Sequence, residues 1–156
     1  MAYLLFNEHN ELQQIAKEEN DFNVTRGNLD HYKGLGKLKT VSADDYKAIV
    51  AGEKKATLTD DNVVLTDVAD RVFSYDQEGF QIAVNEQLEL VNNFLETWAG
   101  KLDTSDFSGL KTRINNYKSG LENINISSIS FPITTDFFRY WYDNQSSEPF
   151  PSGYLH

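Results

Sequence analysis

The chain has 156 residues, no cysteine and a formal net charge of −10. That length suffices for one compact unit, or two small lobes sharing a core, without disulfides or metals as staples; the missing thiols exclude a disulfide framework, a thiolate zinc site and a cysteine nucleophile. Residues 1–70 hold 13 acidic and 8 basic residues and residues 71–156 hold 11 and 6, so −5 falls on each half, a surface that repels nucleic acid.

The opening residues 2–7 (AYLLFN) are apolar and end at the polar turn Glu8-His9-Asn10. Residues 11–16 (ELQQIA) fit a returning strand with Leu12 facing away from Ile15, or a helix capped by Asn10. A strand this short needs an antiparallel partner, which favours the hairpin. Met1–Phe6 resembles a signal-peptide core but lacks a basic leader and is cut short by Glu8. No run approaches the roughly 18 apolar residues of a membrane helix. A cysteine-free chain with these features is expected in the cytoplasm or a virion, off the membrane and not secreted by a signal peptide.

Residues 17–36 show no clean periodicity and contain three glycines, so a loop is expected. Gly34-Leu35-Gly36-Lys37 looks like a phosphate cradle, but a Walker loop needs Gly-Lys-Ser/Thr opening a helix, and a plain connection is the better reading. Residues 37–41 (KLKTV) alternate like a strand. Ser42 caps a helix expected to bury Tyr46, Ile49 and Val50 and to stop at Gly52. Residues 55–59 and 62–67 flank Asp60-Asp61 as a second hairpin.

Strong helical periodicity then begins. Phe80, Val84, Leu88, Val91, Leu95, Trp98 and Leu102 form one stripe, and Ala99-Gly100 is expected to end that helix. Thr104 or Ser105 should cap a second helix with the stripe Phe107, Leu110, Ile114, Tyr117, Leu121 and Ile124. A link this short makes the pair antiparallel, with helices expected over 77–99 and 106–123. Residues 76–98 contain Asp76, Glu78, Glu86, Glu89 and Glu96 and no base, which suggests register pairing with Lys111, Arg113 and Lys118. After Ile124, NISSISFP suggests a strand, and Thr134 or Thr135 a cap for a short helix.

Eight of the 20 aromatic residues lie in 131–156. They surround the short helix, so one buried side cannot take them all. Phe137, Trp141 and one of Phe131 and Phe138 are expected to be buried. Phe138, Tyr140, Trp141, Tyr142, Phe150 and Tyr154 are the candidate interaction residues, because Tyr, Trp and Phe are enriched at interfaces. The core, a partner or subunit interface, and a sugar-stacking platform are the three readings of this segment.

Catalytic and metal chemistry lacks a matching pattern. His9, His31 and His156 stand apart, and no second histidine follows at helical spacing. No Gly-x-Ser-x-Gly elbow occurs. Asp44-Asp45 reads as helix-start charge and Asp60-Asp61-Asn62 as turn chemistry. No catalytic residue, metal or cofactor is assigned.

Two stretches resemble small accessory proteins of tailed bacteriophages, especially those of marine phages. One joins AYLLFNEHNELQQIA to VSADDYKAIVAGEKKATLTDDNVVLTDV, in the strand, helix, glycine, hairpin order of tail-fibre assembly proteins. The other joins ETWAGKLDTSD to SGLENINISSISFPITTDFF, similar to the closing segment of phage structural or assembly genes. Together they touch roughly half the chain. The resemblance implies a virion component or tail-assembly chaperone and carries over no catalytic residue.

The expected fold is α+β. Residues 1–70 form a strand-rich lobe with a small antiparallel sheet and one helix; residues 71–156 form a helical hairpin and a short aromatic helix. The expected function is a non-enzymatic phage-like structural or assembly protein acting through protein partners, with a tendency to self-associate. The alternative is a small-molecule or carbohydrate-binding module using the C-terminal aromatics.

Overall fold

The computed structural model describes residues 1–69 and 71–145, and the fold is α+β. Strand β1 (Ala2–Phe6) lies between β2 (Leu12–Ala16) and β3 (Leu38–Val41), antiparallel to both. Successive side chains of a strand point to opposite faces. Ala2, Leu4 and Phe6 therefore enter one core and Leu5 enters another, which is why β1 reads as an unbroken apolar run. The hairpin forms as expected, with one difference. The register pairs Leu5 with Gln14 but Phe6 with Leu12, so Gln13 is an extra residue. This bulge brings Leu12 and Ile15 into the same core, where strict alternation would separate them.

The expected loop over 17–36 contains a helix. Residues Glu19–Asp21 make a 3₁₀ turn, and α1 spans Arg26–Gly34. Thr25 caps α1 by accepting from the Asn28 amide at 3.3 Å. Leu29 is its one fully buried residue among those described, so it carries too little apolar periodicity to be read from sequence. The Gly34-Leu35-Gly36-Lys37 run is the C-terminal stop of α1. The amides of Leu35, Gly36 and Lys37 donate to the carbonyls of His31, Lys33 and Tyr32 at 3.2, 3.0 and 2.9 Å. Those donors are spent on the helix end, and Gly36 takes the left-handed φ of 71° that such an end requires.

Helix α2 (Ala43–Val50) is capped by Ser42, which accepts from the Asp45 amide. It buries Tyr46 and Ala48, while Ile49 and Val50 are only partly covered. Strands β4 (Lys54–Thr59) and β5 (Asn62–Asp67) form the second hairpin. Asp60 and Asp61 both have positive φ, the backbone of the two-residue turn that matches strand twist. A bridge between Glu11 and Thr57 and a Lys39–Asp61 ion pair at 3.1 Å join this hairpin to the first sheet.

Helix α3 (Gln77–Thr97) and α5 (Ser108–Asn123) pack together. The Tyr117 hydroxyl donates to Gln87 at 2.9 Å, joining positions about equally far from the connection, as an antiparallel pair requires. The stripe of α5 is buried from Leu110 to Leu121. On α3 the buried face is Phe80, Val84, Val91 and Phe94. Trp98 leaves the stripe; it is 43% exposed and covers Lys101 at 5.1 Å. The chain does not stop at Gly100 either, since α4 (Ala99–Leu102) runs through it. No side-chain cap forms at Thr104 or Ser105. The Thr104 hydroxyl instead donates to the Lys101 carbonyl.

Two of the three bases of α5, Lys111 and Arg113, go elsewhere than expected. Lys111 pairs with Asp103 in the connection. Arg113 is buried with Asp21 and Tyr46, donating to the Tyr46 hydroxyl at 2.8 Å with Asp21 Oδ2 at 4.0 Å. This polar cluster ties α5 to α2 and to the turn before α1.

After α5, Ile126–Ser128 is a 3₁₀ turn and no strand forms over NISSISFP; just beyond it, Ile133 makes an isolated bridge to Tyr75. Helix α6 (Phe137–Asn144) is capped by Asp136, not by a threonine. The main core draws Leu5, Ala16, Phe22 and Leu29 from the first part of the chain together with α3, α5 and α6. The second core lies between the two sheets and α2, with Tyr142 at its edge. No helix among the described residues is long and apolar enough to cross a membrane.

Candidate interaction site

Helix α6 disperses its rings because they leave the backbone on every side. Phe137 and Trp141, 5% and 0% exposed, stack at 5.8 Å in the main core, and Trp141 meets Tyr117 edge-on at 5.4 Å. Tyr142 turns to the second core, edge-on to Tyr46 at 5.7 Å, with Lys47 Nζ at 5.2 Å from its ring centre. Phe138 and Phe131 are half-buried, so Phe137 and Trp141 meet the burial expectation and neither of these two completes it. Among the expected interaction residues, Trp141 is a core residue. Phe138, Tyr140 and Tyr142 are partly exposed, and Phe150 and Tyr154 lie outside the described residues.

The structure assembles a different aromatic surface. Phe80, at the start of α3, is fully buried under three half-buried rings: Tyr75 at 6.5 Å, Phe131 at 5.9 Å and Tyr140 at 5.4 Å. Phe73 extends this shelf by stacking on Tyr75 at 6.4 Å, and Arg71 lies over Phe73 at 5.2 Å. The neighbouring Val72 is 98% exposed. Two backbone hydrogen bonds between Tyr75 and Ile133, 2.8 and 2.9 Å, tie the segment before α3 to the segment before α6. That pairing across distant sequence brings the segment carrying Phe73 and Tyr75 to the segment leading into α6, with Tyr75 and Tyr140 both on Phe80. Only the i, i+2 spacing of Phe73 and Tyr75 marked them in the sequence.

A charged cleft adjoins the shelf. It measures about 260 Å³ and lies between the end of α2, the segment after β5 and the start of α6. Glu53, Arg71, Thr134, Thr135 and Asp136 face it. Burial pushes the Asp136 carboxyl above its ordinary pKa, and Glu53 adds to the rise; the amides of Phe138 and Arg139 and the Arg71 charge oppose it. Burial likewise raises the Tyr75 phenol, which Asp136 reinforces, and the Tyr140 phenol. Elsewhere, a hollow of about 600 Å³ beside α5 is lined by amides and hydroxyls, among them Asn116, Ser119, Asn123, Asn125 and Gln145. His9 and His31 lie far apart in sequence, on a turn and on α1, and His156 is outside the described residues. Among the described residues no group of three His, Asp or Glu side chains is placed to hold a metal ion.

No family model, no curated protein and no solved structure matches this chain. The site therefore rests on its own geometry.

Proposed function

We propose that this protein is a non-enzymatic structural or tail-assembly component of the tailed-phage kind, working through protein–protein contacts made by the aromatic shelf. The observation that carries this reading is the surface formed by Phe73, Tyr75, Phe131 and Tyr140 beside Arg71. Tyrosine and arginine are among the residues that dominate binding energy at interfaces, and phenylalanine is enriched there too. Half-buried rings already held by Phe80 lose little side-chain freedom on binding, so more of the contact energy survives as affinity. The fully exposed Val72 supplies an apolar contact at the rim. The partner is another virion or assembly protein, or a second copy of the chain, met in the host cytoplasm or in the virion. A carbohydrate ligand is the second reading, favoured by rings standing next to the carboxylates of Glu53 and Asp136.

The test is to co-express the chain with the products of its neighbouring genes, with a photo-crosslinking amino acid at position 72. A covalent adduct to one of those products, or to a second copy, is expected, and Tyr140→Ala should reduce it. Absence of any protein adduct, together with retention on an oligosaccharide array, would replace the assembly reading with the carbohydrate one.

A further inference from the structure

The charged cleft supports a second inference that does not require the assembly reading, although Arg71 and Phe73 belong to both surfaces. At about 260 Å³ it lies below the roughly 300–1,000 Å³ of sites for drug-sized ligands, so its occupant is small. Its walls carry opposite charges: Arg71 acts on Asp136 through space, but no direct ion pair joins Arg71 to either carboxylate among the described residues. Among the described residues, Arg71 is held by the Ala51 carbonyl at 3.2 Å and by the Phe73 ring, not by a carboxylate. Asp136 accepts from the Phe138 amide at 2.9 Å, and Glu53 has Arg139 Nη1 at 3.9 Å. Thr134 and Thr135 add hydroxyls and Phe73 an apolar wall.

We propose that this cleft binds a small zwitterion of the free α-amino-acid class, with its carboxylate on Arg71 and its ammonium on Asp136 and Glu53. An anion alone would meet Arg71 but face two carboxylates, and a cation alone would meet those carboxylates but face Arg71. A molecule carrying both charges a few ångströms apart satisfies both walls, and the pairing rewards it over either single ion. Arg71, although exposed, packs close against the end of α2. Arg71 Nη2 lies where a Cβ on Gly52 would be, and Gly52 has a φ of 73°. The Val68 amide donates to the Glu53 carbonyl at 2.9 Å.

The experiment is a two-dimensional amide NMR titration of the intact protein with the twenty free L-amino acids, then with the N-acetyl and C-amide forms of any that bind. Concentrations up to about 10 mM reach sites as weak as millimolar. At least one free amino acid should shift the amides of Gly52, Arg71 and Asp136, and each blocked form should bind at least about tenfold more weakly. Arg71→Gln and Asp136→Asn should weaken binding by a similar factor; asparagine caps a helix as well as aspartate does, so α6 should survive the second change. The inference is overturned if no free amino acid shifts those amides, or if the blocked forms bind as well as the free one. The blocked-ligand comparison uses the unaltered protein and so holds even where a variant fails to fold.

Discussion

Asp136 carries two demands that conflict. As the cap of α6 it accepts from the Phe138 amide, which favours the ionised form, while burial and Glu53 oppose ionisation. The balance leaves its carboxyl above the ordinary value. The folded state then keeps a proton over a range in which the unfolded chain has lost it. Its contribution to stability is therefore fullest below the ordinary carboxylate value of about 4 and declines as pH rises through the raised value. Asp136→Asn keeps an acceptor at the cap and never ionises. Its melting temperature relative to the unaltered protein should rise between about pH 3 and about pH 7. A difference that stays constant across that range would show that burial does not govern this group. Nothing local in Thr134-Thr135-Asp136 announced the role, since threonine and aspartate both cap helices; packing chose the third position.

At the scale of elements, legibility followed the amount of apolar periodicity. The α3–α5 hairpin was readable because its helices bury long stripes, from Phe80 to Phe94 and from Leu110 to Leu121. Helix α1 was hidden because Leu29 is its one fully buried residue, with Tyr32 only partly covered, and two of its nine residues are glycine. Its end shows how two nearby glycines differ. Gly34 lies in the helix with nothing within 4 Å of an added Cβ, whereas Gly36 has a φ of 71° and an added Cβ would lie 3.1 Å from Asp61 Oδ1. Gly34→Ala should raise stability by about 0.4–1 kcal/mol through the unfolded state. Gly36→Ala should lower it by about 1–2 kcal/mol, because an L-residue is strained there. Urea denaturation of the two variants tests the pair, and equal effects of one sign would refute the assigned helix end.

On the scale of the whole molecule, β1 decides how the chain behaves. Leu4 faces the core shared by the two sheets and α2, and Leu5 faces the core of α3, α5 and α6. Packing thus joins residues before and after position 70, and Arg113 joins them again by reaching Asp21 and Tyr46. Two cores that share a strand should melt together. Leu4→Ala and Leu5→Ala should each cost about 2–5 kcal/mol and lower one common transition, since both side chains are almost fully buried. Scanning calorimetry checks this: the calorimetric and van't Hoff enthalpies should agree for both variants, and a second transition in either one would separate the cores.

The sequence by itself determined the elements whose signals are local: the two hairpins, the strand β3, the capped helix α2 and the antiparallel helical pair. Periodicity, capping and turn residues act over a few positions, and a single chain displays them in full. It also determined that the C-terminal rings could not share one buried side. Only the tertiary structure decided where each ring went, sending Trp141 into the core and Tyr142 to the second core, and gathering Phe73, Tyr75, Phe131 and Tyr140 over Phe80. The same holds for the charged cleft, whose Glu53, Arg71 and Asp136 come from three separate segments. Burial and long-range pairing set these positions, and both depend on which distant segments meet, a property that no local pattern encodes.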